Sequence, residues 1–424
     1  MSTNMDGGGL GAELSQASEW VEHATLTAER QVYWRKGERH AEREIGTKTR
    51  ALHVFVDTND QRGTAVCYLE DRDGDRLRVK DALSAARLAL NPIYRLPVGA
   101  VTFPTIQLGE ELANGEVLAS FGTELQARVR AMGATVSHLE LFARQEDEEI
   151  AGSNGRVTRW RGTRYEMDLV LAAGPGDRFE HRLLRRARRL SELLPAGSLE
   201  EAVEVVRDRE RAVLPPTGRM AVILPAAELS VLLEVMRARV SAEALYQKFF
   251  AHKVGDRLIT PRQDSFSLAA DALRPYAVAS APTDTSTVPA GRVSLIEDGV
   301  VVGLLADPQY GAYLGVPPTG PAGTLVWEAG HTAAADLLGD GPVLEVVAFS
   351  ATMPNPATGD LAAEIKSGYL HEGGRRTPVA QGSVSGNVLE FLANCRASRE
   401  TAAEPGFFGP ARVRFEEVQV AGGS

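Results

Sequence analysis

The sequence predicts an α+β protein: an N-terminal α+β domain followed by a strand-rich, largely antiparallel β C-terminal domain. Helical and strand-like periodicities alternate through the first half of the chain. Pro215-Pro216 interrupts this pattern. Beyond about residue 256, short strand-like runs recur between Gly- and Pro-containing turns. These three observations place the domains at residues 1–214 and 215–424.

The N-terminal half contains segments of both periodicities after an irregular lead over residues 1–12. Apolar residues at helical spacing predict helices at 13–24, 80–90, from Gly115 to about 132, 182–194 and 198–212. Apolar and β-branched runs predict strands at 30–34, 52–56, 64–69, 136–142 and 165–172. The polar turn 57–63 indicates a hairpin, and Ser198 with Glu201 indicates a capping box.

The pattern of predicted elements changes in the C-terminal half, where most segments are short strands. A strand is predicted at 220–224 and a helix at 226–250. The remaining strands are predicted at 292–297, 300–305, 343–350, 361–369, 377–385 and 413–420. This density of short strands favours an antiparallel sheet or barrel.

Composition excludes several classes of protein. The 424 residues carry a net charge of 46 − 56 = −10, which argues against a general nucleic-acid binder. No apolar run approaches the roughly 20 residues of a membrane helix, and the start lacks the pattern of a signal peptide. The two cysteines, Cys67 and Cys395, fit a reduced compartment. We therefore expect a cytoplasmic protein without a membrane or nucleic-acid partner.

No complete catalytic constellation is visible in the residues alone. The eight histidines include no two within five residues of each other, so no helical zinc pair exists. Neither cysteine has a neighbouring histidine, and both read as small apolar residues. A basic run in the predicted helix 182–194 favours a solvated face or a partner contact; it comprises Arg185, Arg186, Arg188 and Arg189.

Several ordered segments resemble the TldD/PmbA family of modulators and metallopeptidases. Residues 292–307, RVSLIEDGVVVGLLAD, are similar to the family segment L-I-E-x-G-x-L-x-G-x-L-x-D with its leading arginine. Residues 378–387, PVAQGSVSGN, resemble the family's closing segment. Asp284 lies where relatives carry an F-D-x-E-G stretch. The N-terminal hairpin and the following helix keep the family's order, so the resemblance covers nearly the whole chain.

The resemblance further indicates one branch of that family. TldD-like members carry His-Glu-x-x-x-His on a helix and a later Gly-Thr-Cys-Gly segment, and they bind zinc. The matching helix here places Glu234 and Arg239 at the histidine positions and Val235 at the glutamate position. The later segment contains no cysteine. The chain is therefore similar to PmbA/TldE-like members, which lack the zinc motif.

The resemblance implies a role without metal in this chain. PmbA/TldE-like proteins pair with a zinc-bearing TldD-like subunit in a metallopeptidase that cleaves extended, unfolded or modified peptides. The implied partners are that zinc subunit, or alternatively a second copy of this chain, and a peptide substrate. The candidate residues for a substrate groove are Glu234, Arg237, Arg239, Asp284 and His331.

Two other hypotheses remain open. The chain could be a metal-independent homodimeric hydrolase or tailoring enzyme of a natural-product pathway, with Glu234, Arg239, Asp284 or His331 as acid–base groups. It could also be a homodimer that presents peptides without cleaving them. The charges on the helix could equally be solvated, without a part in substrate contact.

Overall fold

A computed structural model describes residues 10–71 and 74–422, so most of the predicted irregular lead lies outside the described residues. Strand accounts for 43% of the chain and helix for 22%, which confirms the predicted α+β class. Three sheets carry the architecture. Among the described helices, none is both long and apolar enough to cross a membrane.

The N-terminal half forms one seven-stranded antiparallel sheet in the order β4-β3-β2-β1-β5-β6-β7. Its strands are β1 (Glu19–Arg35), β2 (Glu38–Thr58), β3 (Gln61–Tyr68), β4 (Leu90–Pro92), β5 (Thr135–Gly152), β6 (Val157–Ala173) and β7 (Phe179–Ala187). Its α-helices are α1 (Gly11–Leu14), α2 (Asp75–Ala86), α3 (Gly115–Ala131) and α4 (Ser198–Asp208). Short 3₁₀ turns occupy Pro175–Asp177, Leu190–Glu192 and Arg209–Arg211.

One face of this sheet is apolar because side chains alternate across each strand. Leu139 and Leu141 on β5 are fully buried in the cluster that contains α3 and α4 residues. The Asn114 side chain caps α3 by accepting a hydrogen bond from the Val117 N–H. A Cβ at Gly122 would lie 2.5 Å from the Trp34 ring, so this glycine lets α3 approach β1. The opposite face carries many polar and charged side chains, with a small apolar cluster that contains Val21 and Ile150.

Two helix predictions in this half are wrong. In place of the first, predicted at 13–24, the helix α1 covers only Gly11–Leu14, because β1 begins at Glu19 and pairs on both sides, with β2 and β5. The predicted basic helix 182–194 is strand β7 followed by a 3₁₀ turn. Arg182 and Arg186 project from β7 on one face and pair with Asp168 and Glu166 of β6, which satisfies the charges cross-strand.

Three helices and one hairpin predicted for the N-terminal half are present in the structure. The hairpin β2–β3, helix α2 and helix α3 are confirmed. The helix after residue 197 is also confirmed, but it has no capping box. Gly197 is its N-cap residue, and the Ser198 hydroxyl donates to the carbonyl of Pro195 instead.

The C-terminal half contains two sheets, ordered β11-β10-β9-β12-β19-β18 and β13-β8-β20-β16-β14-β15, with β17 paired to β20. The strands are β8 (Gly218–Pro225), β9 (Leu268–Asp271), β10 (Arg292–Glu297), β11 (Val300–Val301), β12 (Thr324–Trp327), β13 (Val343–Thr352), β14 (Asp360–Glu372), β15 (Arg375–Val379), β16 (Ser383–Asn387), β17 (Cys395–Ala397), β18 (Thr401–Glu404), β19 (Phe407–Pro410) and β20 (Arg412–Ala421). Apart from β8–β13 and β12–β19, these described strands pair antiparallel, as predicted.

Helices of the C-terminal half are α5 (Ala226–Arg239), α6 (Ala242–Tyr246), α7 (Pro308–Leu314) and α8 (Val388–Ala393), with a 3₁₀ turn at Ala334–Leu337. The predicted helix 226–250 is thus divided. Ser241 leaves the helical conformation and its hydroxyl accepts from the Ala244 N–H, which starts α6. Helix α5 contacts strands of both C-terminal sheets, and its apolar residues enter their shared core.

Polar contacts join the two halves. Arg188, after β7, is buried and donates to carbonyl groups in both, among them Leu108 and Val278. The Tyr313 hydroxyl donates to the Pro92 carbonyl at 2.6 Å. The sheets of the two halves share no strand among the described residues. The domain boundary at residues 214/215 stays a prediction.

Candidate site at the end of helix α5

Glu234 and Arg237 occupy the exposed side of α5. Their side chains are 47% and 50% exposed and form an ion pair with each other at 2.5 Å, three residues apart. An exposed pair of this kind contributes little to stability. The structure therefore leaves both groups accessible to a ligand or to a partner.

Arg239 lies on the opposite side of the same helix and is buried, with 6% of its surface exposed. Its guanidinium donates to the carbonyls of Pro356 at 2.6 Å and Ala357 at 3.1 Å. It also lies 5.0 Å from the centre of the Phe250 ring. Burial lowers the pKa of Arg239. Arg239 thus fixes the loop after β13 against α5.

A cleft of about 600 Å³ opens beside Arg239. Two residues that line this cleft contact Arg239. His252 Nε2 hydrogen-bonds the Arg239 carbonyl oxygen at 2.8 Å, and the ring of Phe250 covers the guanidinium. The cleft is lined by Leu245, Lys248, Phe250, Ala251, His252, Lys253, Val254, Leu304, Leu314 and Val316. Its walls are therefore mainly apolar, with cationic side chains at the rim.

Two lysines line the cleft, and exposed aromatic residues are next to its lining residues in the sequence. Within the described part of the chain, neither Lys248 nor Lys253 forms an ion pair, and both are exposed. Phe249 is 65% exposed and Tyr246 is 39% exposed. Tyr246 also stacks on Tyr313, with ring centres 4.8 Å apart. Apolar, aromatic and cationic groups in one concave surface suit an extended chain with apolar and acidic side chains.

Asp284 and His331 lie outside the cleft. Asp284 accepts hydrogen bonds from the backbone N–H groups of Ser286 and Val288, at 2.8 and 2.9 Å. Burial, with a smaller contribution from the charge of Asp307, raises the pKa of Asp284 to about 6. His331 is exposed in the segment after β12. The structure thus brings Glu234 and Arg237 together, places Arg239 beneath the cleft, and does not bring Asp284 or His331 to either.

Sequence reasoning missed the residues that form the cleft. The predicted helix 226–250 includes Phe250 and ends before His252, whereas both residues lie in the loop after α6. A signal was present: two of the six lysines of the chain, Lys248 and Lys253, fall within six residues of each other. The half-buried Glu228 of α5 was missed as well. It accepts from Phe349 N–H at 3.1 Å, and burial raises its pKa.

A family model described as the PmbA/TldA metallopeptidase C-terminal domain matches residues 217–422. Residues 217–422 thus match the C-terminal domain of that family. The match includes α5, the cleft and both C-terminal sheets, and it confirms the resemblance predicted from the sequence. No curated protein matches the sequence at a significant level.

Solved structures with the same fold cover almost the whole chain. TldE from Thermococcus kodakarensis superposes with a TM-score of 0.83 at 19% identity, covering 97% of this chain and 98% of that one. A candidate modulator of a DNA gyrase from Thermotoga maritima gives 0.82 at 18% identity, with 97% and 98% covered. A similar candidate modulator from Bacteroides thetaiotaomicron gives 0.77 at 18% identity, with 97% and 96% covered. The N-terminal sheet is thus part of the same fold.

The residues of α5 do not fit the zinc ion that this family implies. Val235, at the position of the family's glutamate, has no ligand atom and is fully buried. Arg239, at a histidine position, is a cation held by carbonyl oxygens. Glu234, at the other histidine position, is paired with Arg237. Zinc is bound in proteins by imidazole, thiolate and carboxylate groups, and α5 offers only one of these at the three positions.

Proposed function

We propose that this chain is a TldE-like, non-catalytic subunit that pairs with a zinc-bearing TldD-like subunit to form a metallopeptidase. The observation that carries the proposal is the set of residues that α5 has at the positions of the family's zinc motif. The helix keeps its place between the two C-terminal sheets. At the position of the family's glutamate it carries the buried apolar Val235, and at a histidine position it carries Arg239, a cation bound to backbone carbonyls. A helix so altered supports packing and surface contact rather than hydrolysis.

The cleft supports a role in holding substrate. Its apolar walls, which include Leu245, Phe250 and Val316, offer surface for apolar side chains of an unfolded peptide. The ammonium groups of Lys248 and Lys253 can pair with acidic side chains of the same peptide. The zinc of the partner would supply an activated water for peptide-bond hydrolysis. The residues of this chain would bind and orient the extended peptide, and the protein would act in the cytoplasm.

Reconstitution tests the proposal. The chain is mixed with the TldD-like zinc subunit encoded in its own genome, and cleavage of an unfolded peptide is measured for each protein alone and for the mixture. We expect a 1:1 complex and cleavage that needs both chains. The matched control replaces the first histidine of the partner's zinc motif by alanine, and this complex should form but remain inactive.

The same experiment can overturn the proposal. Peptide hydrolysis by this chain alone, unaffected by chelators, would favour the metal-independent hydrolase. A homodimer that binds peptide, ignores the zinc subunit and never cleaves would favour a presenting module.

A further inference from the structure

Three side chains with metal-ligating atoms meet on the polar face of the N-terminal sheet. One ligand atom each from His138, Glu140 and Asp168 lie within 4.8 Å of one another. His138 and Glu140 are two residues apart on β5 and project from the same face, and Asp168 of β6 is directly opposite Glu140. This face is opposite to the one that α3 and α4 cover.

The spacing of this cluster fits an ion better than direct hydrogen bonds. His138 Nε2 and Glu140 Oε2 are 3.9 Å apart, beyond hydrogen-bond length. Zinc binds imidazole nitrogen at about 2.0–2.1 Å and carboxylate oxygen at about 2.0–2.2 Å, so tetrahedral ligand atoms stand about 3.4 Å apart. Small rotations of the side chains would bring all three atoms to that separation.

Neighbouring groups orient the cluster without occupying it. Gln31 of β1 donates to Glu140 Oε1 at 3.4 Å, which leaves Oε2 toward His138. Arg182 of β7 donates to both oxygens of Asp168, at 2.8 and 2.6 Å. Each carboxylate oxygen has two lone pairs, so Asp168 can hold the arginine and still bind an ion. Supporting contacts of this kind are typical around metal ligands.

We propose that His138, Glu140 and Asp168 form a site for a divalent transition metal such as Zn²⁺. The two carboxylates offer two negative charges to the ion, and Arg182 shares the charge of Asp168. The donor set of nitrogen and oxygen suits zinc, with cobalt as its spectroscopic substitute. Three protein ligands leave one position open for water or for a carboxylate of a bound peptide. This site is on the N-terminal sheet and is independent of the function proposed for α5.

The test uses the full chain without a purification tag, stripped of metal by EDTA and freed of chelator. Zn²⁺ is titrated by calorimetry, and Co²⁺ binding is followed by visible absorption, which reports coordination below six. We expect one site per chain and a rise of the melting temperature with added Zn²⁺ that EDTA reverses. His138→Ala and Glu140→Gln should each lower the affinity more than about 100-fold. Gln31→Leu should lower it about tenfold.

His23 provides the matched control. It lies on the same sheet and pairs with Glu148, without a third ligand among the described residues. His23→Ala should leave Zn²⁺ affinity unchanged. The proposal is overturned if the wild-type chain shows no Zn²⁺ site, if His138→Ala and Glu140→Gln bind within twofold of wild type, or if His23→Ala weakens binding as much as they do. Equal melting temperatures without metal show that each variant is folded.

Discussion

Replacement of Arg239 by alanine removes the contacts that fix the loop after β13 against α5. The guanidinium donates at 2.6 Å to Pro356 and at 3.1 Å to Ala357, and it stacks on Phe250 at 5.0 Å. In Arg239→Ala both carbonyl groups lose a charged donor. The Phe250 ring loses its partner, and the wall of the cleft loses its support.

The size of the effect follows from these contacts. Hydrogen bonds from a charged donor contribute about 1.5–3 kcal/mol each. The stacked cation adds about 0.5–1 kcal/mol. Burial lowers the pKa of Arg239, so part of this gain offsets the cost of removing the charge from water. We expect Arg239→Ala to lower the free energy of unfolding by about 3–5 kcal/mol.

Urea denaturation measures this change, and the same helix supplies a control. Arg237 is exposed and pairs only with Glu234 in the described part of the chain, so Arg237→Ala should cost less than about 1 kcal/mol. Arg239→Met keeps most of the volume and separates packing from hydrogen bonding. Equal losses for Arg237→Ala and Arg239→Ala would refute the assignment of Arg239 as a structural support of the cleft.

Three further predictions concern pH, the junction of the two halves and the cleft. Burial and Asp307 raise the pKa of Asp284 from 3.8 to about 6; the folded protein therefore holds a proton that the unfolded chain releases. The contribution of this proton to the free energy of unfolding is fully present below about pH 4 and is lost as the pH rises through about 6. Asp284→Asn should flatten that decline in urea denaturation. Arg188→Ala leaves carbonyl groups of both halves unpaired, so the free energy of unfolding should fall by several kcal/mol, about 3 or more, and limited proteolysis should accelerate. Charge reversal of Lys248 and Lys253 should weaken binding of a fluorescent unfolded peptide rich in leucine and glutamate about tenfold, or about 1.4 kcal/mol.

Each of these has a control and a contradicting result. An unchanged pH profile in Asp284→Asn would show that this carboxyl does not set it. Arg186→Ala, which removes an exposed ion pair near the end of β7, should be nearly neutral, and equal costs would contradict the role of Arg188. Lys36→Glu, in the turn between β1 and β2, should leave peptide binding intact. A loss equal to that of the cleft variants would indicate a general charge effect.

Local patterns predicted much of the fold. Helices α2 and α3 and the hairpin β2–β3 follow from periodicity, turn residues and a capping Asn114. The errors occurred where cross-strand partners decide the structure. Arg182 and Arg186 look like a basic helix in isolation, and only the acidic residues of β6 show that they belong to a strand.

The candidate site was predictable in part. The substitution of the zinc motif on α5 is visible in the sequence, and Arg239 was singled out. The cleft was not, because it needs residues from α6, the following loop and the segment after β11, which are separated by about sixty residues. The cluster of His138, Glu140 and Asp168 depends likewise on the register of β5 against β6, which spacing in the sequence does not fix.

The composition of the native complex tests the central claim most directly. A tagged chain carrying His138→Ala, so that its own proposed metal site is removed, is purified from its host, and native mass spectrometry determines subunits and metal. The account predicts a second polypeptide of similar size that carries His-Glu-x-x-x-His, with one zinc ion bound to that polypeptide. A homodimer of this chain without a second polypeptide would contradict it.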